Sequence, residues 1–127
     1  SNDADRLMGN RGNDTITGGG GADIFRFDST LSASTNRDTL TDFNPSEDRI
    51  ELENAIFSAL LLTGPLSAAA FSVGAAATNA DQRILYNNLT GTLTYDSNGN
   101  VAGGSTVFAT LPTGLSALMS AALFSVT

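Results

Sequence analysis

The sequence predicts an all-β fold, and two observations predict it. Over its first 27 residues a glycine-rich turn and a short polar/apolar alternation recur every nine positions. Beyond residue 53 the chain reads as short apolar runs separated by Asn, Gly and Pro turn signals, which is how a meander of strands is written.

The repeat comes first. Gly9-Asn10-Arg11-Gly12-Asn13-Asp14-Thr15-Ile16-Thr17 aligns with Gly18-Gly19-Gly20-Gly21-Ala22-Asp23-Ile24-Phe25-Arg26, with Gly at positions one and four, Asp at six and a large apolar residue at eight. One period earlier the same places hold Asp5 and Leu7. Alternation after each Asp puts Leu7, Ile16, Phe25 and Phe27 on one inward strand face. Glycine at the bends permits positive φ and lets backbone carbonyls converge where a side chain would block them. If successive strands alternate between two sheets, the turns at Asp5 and Asp23 stack and the turn at Asp14 lies opposite. Strands stack at about 4.7 to 4.9 Å. An ion taking oxygen ligands at about 2.3 to 2.6 Å fits between two such turns, a spacing suited to calcium and too loose for octahedral magnesium.

Next, Asp38-Thr39-Leu40-Thr41-Asp42-Phe43-Asn44-Pro45 precedes Asp48-Arg49-Ile50-Glu51-Leu52, giving two short strands on either side of a turn at Asn44-Pro45-Ser46. Two uses of these acids stand level: Asp38 and Asp48 close a last cation site, or Asp42 stabilises the turn through backbone hydrogen bonds. The apolar run 55–62 predicts a helical turn or two, stopped by Gly64-Pro65. Strands follow around Ala70-Phe71-Ser72-Val73, Arg83-Ile84-Leu85-Tyr86, Thr92-Leu93-Thr94-Tyr95 and 106–111, with turns at Asn87-Asn88, Asn98-Gly99 and Gly103-Gly104. Asp96-Ser97-Asn98-Gly99-Asn100 is a turn and not an EF-hand loop, which places Gly sixth and an acid twelfth, where this chain has Gly fourth and Val107 twelfth. Ser67-Ala68-Ala69-Ala70-Phe71-Ser72-Val73 returns as Ser120-Ala121-Ala122-Leu123-Phe124-Ser125-Val126. The echo reads either as a helical turn entering a strand, used twice on the same sheet, or as chance in an Ala/Ser-rich chain. Phe43, Phe57, Phe71, Phe108 and Phe124 are the expected core.

Composition narrows the chemistry. The chain has no Cys, His, Lys or Trp, which removes Cys/His zinc sites, a Ser-His-Asp triad, a thiol nucleophile and a Schiff-base lysine. Its net charge of -7 opposes binding to nucleic acid or an anionic membrane. No apolar run has the length of a membrane-spanning helix, so stable membrane insertion is not expected. Eleven of the thirteen acids and five of the six arginines lie in residues 1–53, making an acidic head and a nearly neutral body. A carboxylate pair such as Glu51 and Glu53 could in principle serve sugar hydrolysis, but the chain has no Trp to stack a sugar and only Tyr86 and Tyr95 to help, and no enzymatic activity is expected.

The nonapeptide matches the G-G-x-G-x-D-x-U-x pattern of the calcium-binding RTX repeat. Together with Ala22-Asp23-Ile24-Phe25-Arg26-Phe27-Asp28, Asp38-Thr39-Leu40-Thr41-Asp42-Phe43, Arg83-Ile84-Leu85-Tyr86 and Leu93-Thr94-Tyr95-Asp96, it resembles the C-terminal RTX domain of bacterial type I secreted proteins, serralysin-type metalloproteases above all. The resemblance implies a short parallel β-roll over residues 1–35, continuing into an antiparallel β-sandwich over 36–127 that carries a C-terminal secretion-signal region. It implies calcium ions held by the carboxylates of Asp5, Asp14 and Asp23 and the carbonyls of Gly9, Arg11, Gly12, Gly18, Gly20 and Gly21, with Asp38 and Asp48 as the candidates for a last site. Its further implications are a secreted, extracellular protein, an ABC exporter as partner during export, and an N-terminal functional domain of the same chain. The alternative is a calcium-organised module binding polysaccharide or a cell envelope.

Overall fold

The computed structural model describes residues 6–8, 12–28, 37–60, 63–74, 77–78, 80–98, 104–115 and 118–127. The fold is all-β. Five short strands open the chain: β1 (Arg6–Met8), β2 (Thr15–Ile16), β3 (Ile24–Phe27), β4 (Asp38–Leu40) and β5 (Arg49–Leu52). They alternate between two sheets, β1, β3 and β5 in one and β2 and β4 in the other. All of their pairings are parallel, with Arg6 opposite Ile24, Thr15 opposite Thr39 and Ile24 opposite Arg49. Positions 6 and 24 lie 18 apart, two nine-residue periods, as expected of a roll whose turns stack every second repeat.

The alternation continues through β4 and β5, which lie in the same two sheets as β1, β2 and β3. Although β4 and β5 flank the turn at Asn44, they do not pair with each other. Ten positions separate Asp38 from Asp48, close to the repeat period, and Leu40, Ile50 and Leu52 are all fully buried. A hairpin would place them in one sheet; advancing one coil lets the two sheets bury them against each other.

The body then completes both sheets. Strands β6 (Gly64–Pro65), β7 (Phe71–Val73), β8 (Ile84–Tyr86), β9 (Thr92–Asp96), β10 (Ser105–Thr110) and β11 (Phe124–Val126) give orders β1-β3-β5-β11-β6 and β2-β4-β10-β9-β8-β7. β8, β9 and β10 form the antiparallel meander expected from their turns. Three body pairings are parallel instead: β7 with β8, β10 with β4 and β11 with β5. β10 and β11 thus continue the roll's two sheets as the next parallel neighbours, so the sheets run through head and body together.

The echo is structural. Ala68–Ala70 and Ala121–Leu123 are both 3-10 turns, and each runs directly into its strand, β7 or β11. The two strands lie in different sheets, however, one at an edge and one between β5 and β6. The 55–62 run makes successive turns through the bonds Ile56 N–H to Glu53 O and Leu60 N–H to Phe57 O, and forms no helix among the described residues. Phe57 and Leu60 thereby drop into the core.

That core lies between the sheets and includes Phe25, Leu40, Ile50, Leu52, Phe57, Ile84, Leu93, Phe108 and Phe124. Phe27 of β3 meets Phe108 of β10 edge-on at 5.1 Å, and Phe57 packs on both Phe108 and Tyr95. An unbroken aromatic chain therefore joins roll to body.

Candidate metal centre

Each strand of the roll after β1 begins at or just after an Asp, in the series Asp14-Thr15-Ile16, Asp23-Ile24-Phe25, Asp38-Thr39-Leu40 and Asp48-Arg49-Ile50. Parallel stacking puts Asp38 over Asp14 and Asp48 over Asp23, and the contacts follow. Asp14 N–H donates to Asp38 Oδ1 at 3.0 Å, and Asp23 N–H donates to Asp48 Oδ1 at 2.9 Å. Asp48 Oδ2 accepts a second bond from Asn44 N–H at 2.8 Å, within its own turn. Both oxygens of Asp48 are thus used by backbone donors.

The glycine turns carry the geometry that the repeat requires. Gly12 and Gly21, both at position four, have φ of +100° and +91°, a region closed to most side chains. A Cβ on Gly12 would stand 4.0 Å from Asp14 Oδ1. One on Gly18 would collide with Asp23 Oδ2 and stand 3.0 Å from the Phe25 ring. Gly18 is buried against Asp23, which is itself fully buried. Gly20 lies exposed in the same turn. Asp5, Gly9 and Arg11 lie outside the described residues.

Asp14 shows what the turns lack. Its N–H is donated to Asp38 and its carbonyl accepts from Thr39 N–H at 2.8 Å, while its buried Oδ2 finds no hydrogen-bond donor among the described residues. A buried carboxylate oxygen without a donor costs about 1 to 3 kcal/mol or more, because water is lost and nothing replaces it. A cation answers that deficit. Burial raises the Asp38 carboxyl above its ordinary value; the Asp14 N–H opposes that rise and the charge of Asp14 adds to it. This is the electrostatic signature of two acids brought together in a low-dielectric place. Among the described residues no three carboxylates converge into a metal-holding cluster, and an ion held at these turns would take backbone oxygens beside the Asp carboxylates. Carbonyl-rich, carboxylate-poor cages are the kind calcium accepts.

Asp42 is the polar residue whose role the sequence left divided. Its Oδ1 accepts from Gly18 N–H at 2.9 Å and its Oδ2 from Gly19 N–H at 2.7 Å. It therefore holds the glycine turn of the coil below and not its own turn. The stacking offset of 24 places it over Gly18, a relation fixed only once β2 and β4 pair. At the other end, Asp96 Oδ1 accepts from Asn98 N–H, which agrees with a structural turn there.

Residues 1–30 match the family model of the RTX calcium-binding nonapeptide repeat (4 copies). No curated protein matches the chain. The repeats of that family bind calcium, and calcium is the cofactor of this chain. Among the described residues no helix is long and apolar enough to cross a membrane.

Proposed function

We propose that this chain is a calcium-dependent folding and export module of a larger secreted bacterial protein, joined to an N-terminal functional domain and not itself an enzyme. The observation that carries the reading is Asp14. Its buried Oδ2, beside a positive-φ glycine, finds no donor among the described residues, in a repeat matched to a calcium-binding family. Asp14, Asp23 and the carbonyls of the Gly12 and 18–21 turns are the proposed ligands. Asp38 and Asp48, whose carboxylates already accept backbone N–H groups, stand over those turns and shape the site from the coil above.

Calcium then supplies part of the roll's folding free energy, because its ligands come together only in the stacked state. Low calcium inside the cell leaves the chain open for a type I ABC exporter. High calcium outside folds it and makes export directional. The test is a calcium titration followed by circular dichroism, with magnesium as control. Strand signal gained with calcium alone, and weakened in Asp23→Ala, is the expected result; an equal response to magnesium overturns the reading.

One feature favours a second reading, an extracellular binding module for polysaccharide or cell envelope. Thr15, Thr39, Thr110 and Thr92 stand in register across four neighbouring strands. Their neighbours Ile16, Leu40, Ala109 and Leu93 point inward, so the four hydroxyls form a row on the outer sheet face. Calcium-dependent retention on an alginate-like polymer would support this reading, and passage without delay would reject it.

A further inference from the structure

The Asp23 turn is held from above by a carboxylate that the repeat pattern does not contain. Thr41 N–H donates to Ile16 O at 3.0 Å, and the hydroxyls of Thr17 and Thr41 meet at 2.6 Å. The next residue, Asp42, receives the N–H groups of Gly18 and Gly19, one on each oxygen. Two consecutive amides aimed at one anion form a backbone nest, here filled from within the chain. The peptides are trans, and in a trans peptide the carbonyl points opposite to the N–H. With both N–H groups turned onto Asp42, the carbonyls of Thr17 and Gly18 face away from it. Gly18 meanwhile lies so close to Asp23 Oδ2 that no side chain fits between them.

We infer that Asp42 is a positioning residue for the calcium site at Asp23. Its two hydrogen bonds fix the orientation of the Thr17–Gly18 and Gly18–Gly19 peptides, and so fix which side of the turn presents oxygen to an ion. Four successive glycines at 18–21 would otherwise sample many orientations, and ordering them would be charged against calcium affinity. Asp42 does that ordering before the ion arrives, as outer-shell partners of metal ligands do elsewhere. Both Asp42 oxygens are taken up by the Gly18 and Gly19 N–H groups, while at the other described turn Asp14 N–H donates to Asp38 Oδ1, as Asp23 N–H does to Asp48 Oδ1. Asp42 therefore acts on one site and not on the other. The inference rests on the proposed calcium binding at Asp23.

The experiment is calorimetric calcium titration of the full chain as wild type, Asp42→Ala, Asp42→Asn, Asp23→Ala and Asp23→Ala/Asp42→Ala, with melting curves in calcium-free buffer. Asp42→Asn keeps one acceptor oxygen and serves if the Ala variant does not fold. Expected is a loss of about 10- to 100-fold in affinity at one class of site in Asp42→Ala, a smaller loss in Asp42→Asn, and no further loss when Asp42→Ala is added to Asp23→Ala. If the Asp42 variants melt lower yet bind calcium with wild-type affinity, or if the Asp42 and Asp23 effects simply add, the inference is overturned and Asp42 is only a staple between coils. If the wild type takes up no calcium, the proposed function itself fails and the inference falls with it.

Discussion

At the scale of single residues the roll is governed by glycines whose missing side chains make room for something specific. Gly18 of the roll and Gly91 of the body together test which part of the fold answers to calcium. Gly18→Ala drives a methyl group into the Asp23 carboxylate and toward the Phe25 ring. Gly91→Ala, at φ +77°, drives one into the Leu111 carbonyl oxygen, far from the repeat in sequence. Each is expected to lose about 1 to 3 kcal/mol from overpacking, but differently. Melting with and without calcium should show Gly18→Ala losing most of the calcium-induced rise in Tm, while Gly91→Ala lowers both curves equally. Asp38 gives a pH test. Its carboxyl is raised above the ordinary 3.8, so the folded state holds that proton more tightly than the unfolded chain. Its contribution to calcium-free stability is therefore full below 3.8 and is lost as pH rises through the raised value. Asp38→Asn keeps an acceptor for Asp14 N–H and carries no charge, so the calcium-free variant should melt higher at neutral pH and lose that pH dependence. The repeat made Asp14 and Asp23 legible because spacing alone marks them. Asp42 was only half legible, since its partner is a residue 24 positions away that no local pattern indicates.

At the scale of elements the duplicated Ser-Ala-Ala segment tests how much identical sequence fixes. Local structure is fixed, because both copies form the same 3-10 turn and strand. Placement is not, because neighbouring strands decide it. β11 enters between β5 and β6 and buries Phe124 to 1 % exposure, while β7 stays at an edge with Phe71 half-buried. Phe124→Ala is expected to cost about 3 to 5 kcal/mol and Phe71→Ala clearly less, as measured by chemical denaturation. Their rings lie 5.4 Å apart, so a double-mutant cycle should return a coupling of about 0.5 to 1.5 kcal/mol. The strands themselves were legible from period-two alternation and turn residues. Parallel partners were not. Nothing in Phe71-Ser72-Val73 says that its neighbour runs the same way, and the turn at Asn44 suggests a hairpin although the chain there advances one coil.

At the scale of the whole molecule, the proposed calcium-dependent folding could involve the roll alone or the entire chain. The two parts are tied where β10 pairs with β4, where β11 pairs with β5, through the Phe27–Phe108–Phe57–Tyr95 aromatic chain, and by side-chain bonds such as Arg37 to Thr110 and Arg26 to Thr127. Losing the roll would uncover one edge of β10 and one edge of β11 and strip Phe108 of an aromatic neighbour, so the body cannot keep its full stability once the roll opens. The arithmetic of binding shows how far the ion reaches. For a site with a dissociation constant near 0.1 mM, about 10 mM calcium contributes roughly 2.7 kcal/mol. Two such sites amount to a large fraction of the stability of a domain this size. Because the sheets are shared, that energy should be felt throughout them. The expected outcome is one cooperative thermal transition in calcium, whether followed by backbone circular dichroism or by the near-ultraviolet signal of Tyr86 and Tyr95 in the body, with both midpoints rising together as calcium increases. Phe27→Ala removes the aromatic contact but leaves both strand pairings, so it should loosen the coupling and let the two midpoints begin to separate, the body melting with less dependence on calcium. Two separate transitions in the wild type, only the earlier one moving with calcium, would show that the roll folds as an appendage and that the shared sheets do not transmit the ion's effect.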